Sequence, residues 1–262
     1  MNERYIDVDG ETIAYFDEGD ALEALIFIHG AFIDKSYWND QLAHFKQKYR
    51  VLAIDLPGHG ASSMNKITWS IPMFARLIRH FAEKLDLNNL TIIGHSLGAD
   101  VMLEVTTFDI SRISRLVDVD HLKQVGVSLP AEAIAQLVAS LKENFAGTCE
   151  QYATSALMTE NTRSEISQRL LADYNKMLPE FAIPLLASSF NYAARQSEIL
   201  SALPLKLYLM HVNYDHSSVN EWTRNLGCSC ELHKLTGTCH YPMIEQPKQF
   251  NETLDTILAG SE

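Results

Sequence analysis

Five short, almost unbroken apolar runs recur along the chain, several of them separated by helical patterns. They are ALIFIHG (24–30), YRVLAIDLPGHG (49–60), LTIIGHS (90–96), ISRLVDVD (113–120) and LKLYLMHV (205–212). A strand that is apolar at successive positions needs cover on both faces, which is the situation of a strand inside a parallel sheet. Between the runs, SYWNDQLAHFKQK, IPMFARLIRHFAEKL and GADVMLEVTTF repeat apolar residues every three or four positions, the period of an amphipathic helix. The alternation predicts an α/β fold: a mostly parallel central sheet with helices on both faces. Ahead of it, YIDVDGETIAYFDEGD alternates around Asp9-Gly10, the pair that favours a tight hairpin.

The rhythm stops after Asp120. From 121 to 201 only helix-forming stretches appear, such as PAEAIAQLVASLKENF and RSEISQRLLADYNKML, with breaks expected at Pro179 and Pro184. The expected organisation is a core made of 1–120 and 202–262, with 121–201 inserted as a helical cap. With 47% hydrophobic and 21% charged residues, 262 residues can bury one large core of this kind. The net charge of -12, without a dense Lys/Arg cluster, argues against nucleic acid or an anionic membrane surface as partner.

Cys149, Cys228, Cys230 and Cys239 show no disulfide-framework spacing, and MNERYIDVDG lacks the charged-then-apolar profile of a signal peptide. A cytoplasmic location is the expectation. The Cys228/Cys230 pair has no second pair at zinc spacing, so no metal is expected.

One strand-to-helix junction carries chemistry. LTIIGHSLGADVM (90–102) sets Ser96 between Gly94 and Gly98, each two residues away. A serine becomes a nucleophile only if a nearby base takes its proton and an acid orients that base. Four further segments make the junction more than a chance pattern. They are FIHGAF (27–32), DLPGHGAS (55–62), HVNYDHS (211–217) and TGTCHYPMIEQPKQF (236–250).

With these five motifs in this order, the chain resembles the α/β-hydrolase fold superfamily, as a small serine esterase-like member with a helical cap. The resemblance spans nearly the whole chain. It implies a sharp turn that exposes the Ser96 hydroxyl, with glycines at 94 and 98 because strand and helix pass closely there. Ser96 is then the nucleophile, His240 the general base and Asp215 the orienting acid. Asp120 is the alternative acid, since some relatives take theirs from that strand. The amides of Leu97 and Ala31 form the oxyanion hole, with Phe32 as another choice for the second donor. Two positions depart from the family pattern: Val212 and Cys239 stand where glycine is usual.

The expected activity is hydrolysis of a small carboxylic ester, lactone or thioester through an acyl-serine intermediate, without cofactor. The partners are then an ester-like small molecule and water, and self-association is left open. Specialised chemistry on carbon-carbon bonds or acyl-homoserine lactones, or ligand reception without hydrolysis, are the other readings. Asp100 reads as a carboxylate complementing the dipole of the helix after Ser96, and Asp55 as a loop brace. The histidines other than His240 read as structural, and Arg163, Arg169 and Arg195 read equally as contacts for a substrate carboxylate or as surface ion-pair partners.

Overall fold

The computed structural model describes residues 1–123, 125–212 and 226–260. Eight strands form one sheet: β1 (Glu3–Val8), β2 (Glu11–Glu18), β3 (Ala24–Ile28), β4 (Arg50–Ile54), β5 (Leu90–His95), β6 (Ile113–Val119), β7 (Leu207–Val212) and β8 (Cys230–Leu235). Their spatial order is β1-β2-β4-β3-β5-β6-β7-β8. β2 runs antiparallel to β1 and β4, and every other pairing is parallel. The hairpin turns at Asp9 and Gly10, both at positive φ, as the Asp-Gly pair predicts.

Every residue of β3 and β5 is buried, because both faces of the sheet are covered. Alternate side chains serve opposite layers. Ile26, Ile28 and Ile92 join the cluster that includes Phe74 and Ile78 of α2 (Ile71–Lys84) and Val101 of α3 (Leu97–Val105). Leu25, Phe27 and Ile93 join the other cluster, with Leu42 of α1 (Asn39–Phe45) and Leu254 of the C-terminal helix. Burying each such aliphatic or aromatic side chain contributes roughly 1.5–3 kcal/mol before entropy is counted.

The order of strand addition reverses about β3: β4 adds on one side of it and β5 on the other. Such a switch point opens a crevice beyond the carboxyl ends of the two strands, and the segments that follow β3 and β5 border it. Those segments carry Gly30 and Ser96.

Between β6 and β7 the described chain is helical: α4 (Ala131–Glu143), α5 (Phe145–Tyr152), a π-turn at Ala153–Leu157, α6 (Ser164–Tyr174), α7 (Pro179–Phe190) and α8 (Ala193–Ala202). The break expected at Pro184 does not occur. Pro179 starts α7, where its missing N–H costs nothing, and Pro184 follows just over one turn later. α8 is tied to the core through Glu104 of α3, which accepts hydrogen bonds from Tyr192 and, at 3.2 Å, from Arg195. After β8 come α9 (Pro242–Glu245) and α10 (Pro247–Ala259).

Helix α3 lies against the backbone of two strands. A methyl group on Gly98 would sit 2.4 Å from the Ile28 carbonyl oxygen, and one on Gly94 would sit 2.4 Å from the Gly98 oxygen. These neighbours are backbone, so they cannot swing aside. Gly98→Ala is expected to lower stability by roughly 1–3 kcal/mol or more through overpacking, read as a lower urea midpoint. An unchanged midpoint would contradict the close packing.

Candidate active site

Ser96 sits between β5 and α3 with φ 53° and ψ -120°, a left-handed conformation that costs a non-glycine residue on the order of 1–3 kcal/mol. The side-chain oxygen of a serine at a helix N-cap ordinarily accepts a hydrogen bond from a backbone N–H of the first turn. Here the Ser96 side chain makes no capping bond. Its hydroxyl is therefore left available at the positive end of the α3 dipole. Close packing continues across the crevice, where a methyl on Gly30 would lie 2.7 Å from His95 Nδ1 and 3.0 Å from Ser96 Cβ.

His240 follows β8 in a loop held at both ends. Its own amide donates to the Leu157 carbonyl at 2.9 Å, and its carbonyl accepts from His95 Nε2 at 2.8 Å. One step before, the amides of Thr238 and Cys239 donate to the buried Glu245 carboxylate. The His95 ring lies 4.7 Å from the His240 ring, centroid to centroid. Burial drives His95 well below the ordinary imidazole range, and the neighbouring His240 pushes the same way, so His95 packs there as a neutral ring. Cys239, at a position where glycine was expected, is fully buried and forms the bridge partner of Met158.

The acid beside His240 comes from β6. Asp120 Oδ2 lies 2.8 Å from His240 Nδ1, and a carboxylate can only accept, so Nδ1 carries the proton and Nε2 is left as an acceptor. Asp120 Oδ1 accepts from the Val212 amide at 2.7 Å and pairs with Lys123 Nζ at 2.8 Å. Burial alone would raise this carboxyl. The His240 hydrogen bond, together with the Lys123 charge, outweighs it and brings the pKa down to about 2. Asp120 also takes a positive φ of 57°, with its amide tied to the Met210 carbonyl at 3.0 Å. Asp215 lies outside the described residues. Among those described, the carboxylate that meets His240 is that of Asp120, the alternative named from the sequence.

Ser96, Leu97, Ala31, Asp120 and His240 all line one cavity of about 420 Å³, a size suited to a small ligand. Phe32, at φ 65°, lines it as well. Helices beyond β6 supply much of the apolar wall, including Leu137, Tyr152, Leu186 and Phe190. The histidines of the Gly-containing loops act as braces. His29 accepts from the Leu56 amide at 3.0 Å while its Nδ1 faces the Gly30 carbonyl, and burial lowers its pKa to about 4. Asp55 accepts from the Lys35 and Ala61 amides and pairs with Lys35 Nζ at 2.6 Å. Arg163 and Arg195 pair with Glu165 and Glu104, and Arg169 lies over the Tyr37 ring.

Sequence reasoning missed one polar cluster on the cavity wall. Asp100 is fully buried, which its dipole-complementing position at the helix start does not reveal. Its Oδ1 meets His121 Nε2 at 3.0 Å and accepts from Gln196 Nε2 at 2.6 Å. The three residues come from α3, the segment after β6, and α8, so no local sequence signal joins them. A second buried pair, His211 with Asp118 at 2.5 Å, lies alongside on β7 and β6.

A family model described as the alpha/beta hydrolase family matches residues 25–253. The chain belongs to this alpha/beta hydrolase family. Several solved structures superpose over nearly its full length. An esterase from Exiguobacterium antarcticum gives a TM-score of 0.84 at 17% identity, covering 98% of this chain and 99% of that one. An enol-lactonase from Burkholderia xenovorans LB400 gives 0.77 at 17% identity, covering 98% and 100%. At such identities the likeness is one of fold. In sequence, the chain is 26% identical over 134 residues to the (E)-2-((N-methylformamido)methylene)succinate hydrolase of Acinetobacter baylyi, covering 49% of this chain and 51% of the relative. It spans about a quarter to a half of the length of the first curated relatives it matches. No described helix of this family member is long and apolar enough to cross a membrane.

His121 gives a test by pH. Burial disfavours its charge, but the Asp100 carboxylate opposes burial through charge and hydrogen bond, and Asp118 and Asp120 add to it, raising the pKa from 6.5 to about 9. The folded state therefore holds the proton more tightly than the unfolded chain. The resulting stability is complete below about pH 6.5 and is lost as pH rises through about 9. The difference in urea stability between the native protein and His121→Leu is expected to shrink over that window. A pH-independent difference would show that His121 is uncharged.

Proposed function

We propose that this alpha/beta hydrolase is a serine hydrolase that cleaves a small carboxylic ester, lactone or thioester through an acyl-serine intermediate. The observation that carries the reading is the His240–Asp120 pair. A histidine proton is fixed on Nδ1 by a buried carboxylate, on the wall of the cavity that also holds a serine in a left-handed turn. The esterase and lactonase among its fold neighbours are consistent with the chemistry.

In this reading His240 Nε2 takes the Ser96 proton as Oγ attacks the substrate carbonyl. Asp120 keeps the imidazole in the required tautomer and stabilises the imidazolium that forms. The amides of Leu97 and Ala31 hold the oxyanion of the tetrahedral intermediate, with the α3 dipole behind Leu97. Collapse expels the alcohol or thiol, which receives the proton from His240. Water then attacks the acyl-enzyme with the same base, releasing the acid and restoring the serine.

We assign the acid role to Asp120 over Asp215 on the 2.8 Å bond. A small ester-like molecule and water are the proposed substrates, and the cytoplasm the proposed location. Four free thiols among the described residues support a reducing compartment.

Turnover of short-chain p-nitrophenyl esters, with fluorophosphonate labelling of Ser96, tests the reading. Ser96→Ala is expected to abolish both labelling and turnover. Asp120→Ala is expected to lower kcat by about 10³–10⁴-fold, and Asp215→Ala by less than about threefold. The reverse ranking of the two aspartates would move the acid to 215, whereas labelling without ester turnover would point to carbon-carbon or other specialised chemistry. Hydrolysis undiminished in Ser96→Ala would overturn the mechanism.

A further inference from the structure

The cavity wall also carries a polar group that the acyl-transfer chemistry does not use. Asp100 is fully buried, and its Oδ2 has no hydrogen-bond partner among the described residues. A carboxylate placed so deeply needs a compensating cation, and the one bonded to it is His121, through Nε2. Gln196 donates to the same Oδ1 at 2.6 Å. All three residues line the cavity together with Ser96 and His240.

Both of the ring contacts made by His121 use Nε2: Asp100 at 3.0 Å and Gln196 at 3.3 Å. Nδ1 makes no hydrogen bond among the described residues, and the side chain keeps 23% of its surface exposed. With Nε2 committed to Asp100, a protonated ring presents Nδ1–H as a donor at the cavity.

We infer that His121 is a specificity-determining residue, donating from Nδ1 to an uncharged acceptor such as a ketone or amide oxygen in the acyl part of the substrate. Charge balance selects an uncharged group over a carboxylate. His121 already faces Asp100, and Lys123, the next cation on the wall, already faces Asp120. Among the described residues an anion would meet no uncompensated positive charge on this wall, and it would lie beside the Asp100 and Asp120 carboxylates. A neutral carbonyl needs only a donor, and a charge-assisted one is worth roughly 1.5–3 kcal/mol, about tenfold or more in affinity. Alkyl carbons on either side of it fit the apolar wall formed by Leu137, Leu141 and Leu186.

The donor also depends on pH. Among the described residues, the groups that surround His121 are Asp100 on α3, Asp118 on β6, Asp120 just after β6, Lys123 on its own loop, His95 on β5 and the neutral Gln196 on α8. Their net effect keeps the ring charged up to about pH 9. Above that, Asp100 retains the single remaining proton on Nε2 and Nδ1 becomes an acceptor.

The inference deepens the acyl-serine reading, but its test does not need turnover. The Ser96→Ala protein is titrated by calorimetry with ethyl hexanoate, its 4-oxo and 5-oxo derivatives, and monoethyl glutarate. At least one oxo ester is expected to bind about tenfold more tightly than ethyl hexanoate at neutral pH, and monoethyl glutarate no more tightly than ethyl hexanoate. That preference is expected to vanish in Ser96→Ala/His121→Leu, and in the Ser96→Ala protein as pH rises through about 9. Should the double variant not fold, the pH series decides alone. Equal binding of oxo and plain esters, tightest binding of the carboxylate, or a preference that survives both changes overturns the inference. A preserved preference in a protein that hydrolyses no ester would overturn the acyl-serine reading and leave this one standing.

Discussion

The approach of helix α3 to the sheet is the constraint on which the remaining geometry depends. Gly98 lets the first turn of α3 rest on the backbone of β3, and Gly94 lets β5 pass beneath that turn. With no side chain between them, the chain has a single residue in which to change from strand to helix. That residue is Ser96, and the left-handed backbone it adopts is the consequence. The strain is sustained because well-packed elements on both sides over-determine the turn. Gly30 continues the same economy of space across the crevice, where any side chain would strike His95 and Ser96.

Around this turn the protein buries charge sparingly and in pairs. Asp120 is matched by His240 and Lys123, Asp118 by His211, Asp100 by His121, and Asp55 by Lys35. Isolated, any of these carboxylates would be costly to bury; paired and hydrogen-bonded, each holds a loop in place. Asp120 fixes the Val212 amide at the end of β7, and Asp55 fixes the amides of Lys35 and Ala61. Histidines without a carboxylate, such as His29, His59 and His95, are driven to the neutral form by burial and act as packing rings with one or two hydrogen bonds. The same residue type thus serves three ends in one site, separated by what lies beside each ring.

Much of the architecture was legible because its determinants are local. Continuous apolar runs mark buried parallel strands, Asp9-Gly10 marks the hairpin, and the glycines around Ser96 mark the sharp turn, since each effect acts within a few residues. Pro184 misled for a related reason. A proline reads as a break when its surroundings are ignored, yet close to the start of α7 it interrupts little of the helical hydrogen bonding. Asp100 was legible only in part. Its place in the first turn of a helix explains an acid there, but its burial depends on α8 arriving from almost a hundred positions later in the chain.

The sequence by itself determined the order of strands and helices, the position of the serine turn and the identity of the histidine near the end of the chain. These follow from side-chain period, backbone conformational preference and motif order, all of which are properties of short segments. Only the tertiary structure decided which acid meets His240 and which residues share the cavity. Asp120 and His240 are brought together by the pairing of β6 with β7 and of β7 with β8. The distance between two side chains so far apart along the chain is set by how strands pack, and no short segment encodes it.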